Sequence, residues 1–153
     1  MPLFAPYSIL AAGLLSVLFL LFRKIFDARH YPYEARPLLT RREQHFYRLL
    51  RQEADRYGLI ICPKVGLKDL MAVSRKHHYM KYFRLIAQKH VDFVVCDSCL
   101  NVLFAIELDD SSHDTRDARR RDHFKNKAFR AAQIPLKRVR EYDENTVRAL
   151  FRK

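Results

Sequence analysis

Between Val91 and His113 the chain reads VDFVVCDSCLNVLFAIELDDSSH, two apolar runs separated by a polar turn. Both runs are short and rich in β-branched and aromatic residues, which predicts adjacent strands of a hairpin. A turn over Ser98 to Asn101 pairs Asp97 with Val102 and sets Asp92 opposite Glu107. Alternation along a strand then puts Glu107 and Asp109 on one face. Like charges opposed on a strand pair repel, and burial sharpens the repulsion. These acids need a cation, a proton or a basic side chain between them. A divalent metal held by carboxylate oxygens is one answer, the arrangement that serves phosphodiester hydrolysis. A sheet-edge carboxylate pair satisfied by arginines is the other, and geometry alone leaves both open.

The charge balance points toward an anionic partner. Lysine and arginine number 29 against 17 acids, a net of +12, and residues 1 to 22 hold no charged side chain, so the excess falls on the remainder. That remainder suits nucleic acid or an acidic membrane surface, without choosing between them. A length of 153 residues allows one ordinary domain with a proper core. Three cysteines, Cys62, Cys96 and Cys99, make no disulfide framework, and the CxxC at 96–99 lacks further zinc ligands at suitable spacing. The three glycines are scattered, which excludes a Gly-rich phosphate loop.

Leu3 to Phe22 is apolar for 20 residues, the length a helix needs to span a bilayer core. Arg23, Lys24 and Arg29 come directly after it and no lysine or arginine precedes it, so the positive-inside rule keeps the C-terminal side in the cytoplasm. The expectation is a single-pass anchor in the inner (cytoplasmic) membrane over 1–25, a linker over 26–39 and an α/β domain over 40–153. In that domain Thr40 and Glu43 have capping-box spacing ahead of a helix to about Tyr57. Residues 59–67 read as an edge strand interrupted by Pro63. A helix near Tyr79 to Gln88 precedes the hairpin, and a strongly basic helix over about 115–132 comes after it. A strand at 134–139 and a helix capped by Asp143 end the chain. This order predicts a mixed central sheet flanked by helices.

Glu43 on a first helix, then Asp92 and Glu107-Leu108-Asp109 on a hairpin with a basic helix behind, resembles the PD-(D/E)xK nuclease superfamily. The runs DFVV at 92–95, IELDDSSHD at 106–114, RRDHFKNKAF at 120–129 and IPLKRV at 134–139 resemble its branch known as domain of unknown function 2726, related to very-short-patch-repair-like endonucleases. The resemblance implies a restriction-endonuclease-like fold and Mg²⁺-dependent cleavage of nucleic acid, DNA ahead of RNA, with Mn²⁺ as a substitute. Asp92, Glu107 and Asp109 are its implied metal set. In the superfamily a lysine often stands two residues after the glutamate; here that place is Asp109. His113 is the implied proton carrier, or else a loop or helix-cap histidine. Lys125 or Lys127 is the alternative, one turned to the phosphate and the other to solvent. Glu43 is either a further carboxylate of the site or simply the capping glutamate. Arg119, Arg120, Arg121, Lys125, Lys127 and Arg138 are the candidates for phosphate backbone contacts, which set affinity without reading sequence. A nuclease fold without catalysis, tethering nucleic acid or a protein at the membrane, is the competing expectation.

Overall fold

Strand and helix succeed one another in the order α1 (Ala5–Arg29), α2 (Arg41–Asp55), β1 (Ile60–Gly66), α3 (Leu67–Leu70), α4 (Tyr79–Ala87), β2 (His90–Cys96), β3 (Val102–Leu108), α5 (Arg116–Ala131), β4 (Leu136–Val139) and α6 (Glu144–Phe151). The computed structural model describes residues 5–29, 31–74, 78–109 and 116–152. The chain divides into two units, Met1–Pro37 and Leu38–Lys153.

The first unit holds α1, whose large apolar side chains from Leu10 to Phe22 are exposed. Among the described residues no helix is long and apolar enough to cross a membrane, so the spanning helix expected at the N-terminus is not shown. The apolar run begins at Leu3, outside those residues, and α1 continues past it through Arg23, Lys24 and Asp27.

The second unit is a mixed α/β fold around one four-stranded sheet of order β1-β2-β3-β4. The first three strands are antiparallel neighbours, and β4 joins β3 in parallel. That last pairing requires the intervening α5 to cross over the sheet. Phe46 and Leu50 of α2 and Val147 of α6 pack with Phe93, Val95, Ile106, Leu108 and Val139. Leu67, Ile86 and Phe129, from α3, α4 and α5, pack with Val91, Val94, Cys96 and Ala105. Two helix layers therefore cover the two faces of the sheet.

The capping box expected at Thr40 is present. The Thr40 hydroxyl accepts the Glu43 amide at 3.3 Å and the Glu43 carboxylate accepts the Thr40 amide at 2.8 Å. Two amides left over at a helix start are thereby satisfied, an arrangement worth about 1 kcal/mol. The hairpin register agrees with expectation at Phe93↔Ile106, Val94↔Ala105 and Val95↔Phe104. Its turn differs. The pairing shifts between Val95 and Cys96, and Cys96, not Asp97, pairs Val102. Asp97 instead lies in the loop, where one carboxylate oxygen accepts the amides of Cys99 at 2.9 Å and Asn101 at 2.8 Å. Leu100 takes the left-handed φ of 64° that this loop demands. Cys62, Cys96 and Cys99 are all free thiols.

Candidate active site

The sheet aligns four charged residues in one row. In the β1–β2 register Lys64 and Asp92 stand across from each other, between the pairs Pro63↔Phe93 and Val65↔Val91. Phe93 pairs Ile106 on β3, which brings Asp92 beside Glu107, and Glu107 pairs Arg138 on β4. The row therefore reads cation, anion, anion, cation across the sheet. Two adjacent carboxylates are the strained part of this arrangement.

Each carboxylate is met by an ammonium from a different element. Lys64 of β1 donates to Asp92 Oδ1 at 2.8 Å, and Lys125 of α5 donates to Glu107 Oε1 at 2.5 Å. The second Asp92 oxygen accepts the Leu108 amide at 3.0 Å, which ties the side chain to the neighbouring strand. The Glu107 side chain is only 9 % exposed. Burial pushes its carboxyl above the usual range; Lys125 and Arg138 pull it down, while the charge of Asp92 pushes it up again. Lys64 and Lys125 are thus the hydrogen-bonded cations of Asp92 and Glu107, and the charge of Arg138 adds to them at Glu107.

Lys64 also donates to Glu43 Oε1 at 2.5 Å. Its one ammonium joins the start of α2 to the middle of β2. Burial pushes the Glu43 carboxyl up, but the Lys64 hydrogen bond, the Thr40 amide and hydroxyl, and the Lys64 charge outweigh it and hold the group below its ordinary value. Burial likewise disfavours the charged Lys64, yet Asp92 and Glu43 raise its pKa overall. The capping and site roles of Glu43 coexist, because its two oxygens serve different partners. Sequence reasoning passed over Lys64. The one available signal was Pro63, which marked an irregular edge strand without naming the residue beside it.

Asp109 sits one step beyond the row. Its Oδ1 accepts from Arg138 at 2.8 Å, and Arg138 also donates to Asn126 of α5 at 3.3 Å. Arg42 donates to the backbone carbonyls of Asp109 and Arg140, and its guanidinium lies over the Tyr142 ring. The end of β3 is thereby fastened to α2 and to the chain after β4. Lys127 is exposed, whereas Lys125 turns inward. His113 lies outside the described residues, as do the side chains of Arg119, Arg120 and Arg121.

Among the described residues no group of three or more His, Cys, Asp or Glu side chains is arranged to hold a metal ion. Mg²⁺ asks for less than such a cage. It takes oxygen ligands, keeps several waters and is commonly held by one or two carboxylates. Asp92 and Glu107, adjacent in the row, have donor chemistry that fits this mode.

No curated protein matches the chain, and no solved structure matches it. A family model does match, and it covers residues 35–153, which includes every residue of the charged row. The chain therefore belongs to the family described as "Protein of unknown function (DUF2726)".

Proposed function

We propose that this protein is a divalent-metal-dependent nuclease that hydrolyses phosphodiester bonds of nucleic acid, with Asp92 and Glu107 as its metal-holding pair. The observation that carries the reading is the pair of adjacent acids at the centre of a mixed sheet, flanked by Lys64, Lys125 and Arg138. Two acids with three nearby cations suit a hydrated cation and a phosphate anion together. The restriction-endonuclease-like architecture implied by the sequence resemblance is compatible with a helix, three antiparallel strands, a crossover helix and a parallel strand.

Asp92 and Glu107 would hold Mg²⁺, or Mn²⁺ in its place. A bound divalent ion polarises a phosphoryl oxygen and lowers the pKa of an attacking water. The chain supplies the rest. The Leu108 amide fixes the direction of Asp92, and Lys125 fixes Glu107. Arg138 carries positive charge at the β4 edge of the site and holds Asp109 to one side. A net charge of +12 favours a polyanionic substrate. His113 remains the candidate for moving a proton, and Arg119, Arg120 and Arg121 for binding the phosphate backbone.

The reading includes an N-terminal membrane anchor at the cytoplasmic membrane, with the catalytic unit in the cytoplasm. Its support is the uncharged stretch from Leu3 to Phe22, with Arg23 and Lys24 immediately after it. Extraction of membranes with alkaline carbonate tests it: an anchored chain stays in the pellet, and a chain released to the supernatant contradicts the anchor.

One observation favours a second reading. Lys64 and Lys125 already neutralise the two acids, which is what a nuclease fold acting only as a nucleic-acid or protein tether requires. Incubation of the full chain with labelled DNA and RNA, with Mg²⁺ or Mn²⁺ present or chelated, separates the two. Metal-dependent cleavage is the expected result. Binding without cleavage for every substrate and both metals would select the tether.

A further inference from the structure

We propose that Lys64 contacts a non-bridging oxygen of the substrate phosphodiester, with Glu43 and Asp92 acting as the two anchors that aim it. The proposal rests on the nuclease reading and deepens it by assigning a catalytic lysine that the sequence motif does not contain.

A lysine ammonium has three N–H donors and no acceptor. Two of those of Lys64 go to carboxylates on different elements, Glu43 Oε1 at 2.5 Å and Asp92 Oδ1 at 2.8 Å. Two anchors on a flexible four-carbon stem remove most of its rotational freedom. The side chain is held by both anchors yet keeps 21 % of its surface open to solvent, so it is not sealed from a substrate. A third donor on a fixed, partly exposed cation beside a metal-holding carboxylate is suited to an anionic oxygen.

The backbone supports a functional constraint at this position. Lys64 has φ 53°, the left-handed region, inside a β-strand and directly after Pro63. A residue with a Cβ adopts that conformation only at an energetic cost, and such residues cluster at sites of function. An ordinary surface ion pair requires no such backbone. Glu43 becomes a positioning residue, acting through Lys64 while its other oxygen caps α2.

The experiment uses the full chain and five variants, Lys64→Met, Lys64→Arg, Glu43→Gln, Thr40→Ala and Glu107→Ala. Each is assayed for cleavage with Mg²⁺, for affinity toward a fluorescein-labelled oligodeoxynucleotide in EDTA, and for melting temperature. Removing one oriented donor to a transition-state oxygen is expected to slow cleavage about 100-fold in Lys64→Met. Oligonucleotide affinity in EDTA should fall about tenfold, as for a lost charge-assisted hydrogen bond. Lys64→Arg keeps the charge and should recover part of both. Glu43→Gln, whose side-chain carbonyl can still cap α2, should slow cleavage, whereas Thr40→Ala, which breaks the capping box but leaves Lys64 anchored, should not. That contrast separates positioning from helix stability.

Cleavage by Lys64→Met at the wild-type rate, while Glu107→Ala is inactive, overturns the proposal and leaves the nuclease reading standing. Should Lys64→Met fail to fold, equal slowing by Glu43→Gln and Thr40→Ala overturns it. Should the wild-type chain cleave nothing, the nuclease reading fails. The affinity in EDTA then decides alone: a loss in Lys64→Met supports the phosphate contact, and no change overturns it.

Discussion

Lys125, on the crossover helix α5, places its ammonium 2.5 Å from Glu107 Oε1, on the strand beneath. This contact joins the basic helix to the least exposed carboxylate of the site, and it gives two lysines on one helix opposite fates. Lys125 is turned inward; Lys127, two residues on, is exposed. Lys125→Met leaves the Glu107 carboxylate without its ammonium partner and is expected to lose about 1–3 kcal/mol of stability. Lys127→Met is expected to stay within about 0.5 kcal/mol of wild type. Urea denaturation of the two variants side by side checks the difference.

Phe93 is next to Asp92 on β2 and is fully buried, its ring 5.6 Å from that of Phe46 on α2. It joins α2 to the sheet directly beside the site. Phe93→Ala should cost about 3–5 kcal/mol through lost burial and the cavity left behind. The same denaturation experiment reads it, and a loss near that of an exposed position would show that α2 does not pack there.

The Glu43–Lys64 pair sets a pH window. Glu43 is held below its ordinary value of 4.5, so its contribution to stability is complete above that pH and is lost as pH falls through the lower folded value. Lys64 is raised above 10.5, so its contribution is complete below that pH and is lost as pH rises through the higher folded value. Stability should therefore decline on both sides of a neutral plateau. Glu43→Gln should lower the plateau by about 1 kcal/mol, since Lys64 loses one of its two carboxylate partners while the glutamine can still cap α2, and should flatten the acid limb. Denaturation midpoints measured from acid to alkaline pH give the test.

Asp109 and Asp92 differ in what holds them. Asp92 faces Lys64 and the Leu108 amide, whereas Asp109 is paired to Arg138. Asp109→Asn should therefore slow metal-dependent cleavage much less than Asp92→Asn. Equal losses would place Asp109 in the metal-holding set alongside Asp92.

Much of this arrangement was legible in the residues. Two β-branched runs at close spacing marked the hairpin, and an assumed turn over Ser98 to Asn101 set Asp92 opposite Glu107; the register along the strands agrees with it, although the turn itself differs. The Thr40–Glu43 spacing announced α2, and its capping box is present. The loop at Asp97 was not legible, because a side chain that accepts two backbone amides replaces ladder pairing with local bonds. Lys64 was hidden for a different reason. Its partners lie 21 and 28 residues away, and its left-handed backbone obeys neither strand nor helix periodicity. Long-range ion pairs leave no periodic trace in a single sequence.

The most direct test of the account is the cleavage rate of Glu107→Ala against wild type, on labelled DNA and RNA with saturating Mg²⁺ and with Mg²⁺ chelated. Wild-type cleavage that requires the metal and falls at least about 100-fold in the variant is the predicted result. Cleavage that is equal in the two proteins, or indifferent to chelation, would contradict a metal-dependent centre at Asp92 and Glu107.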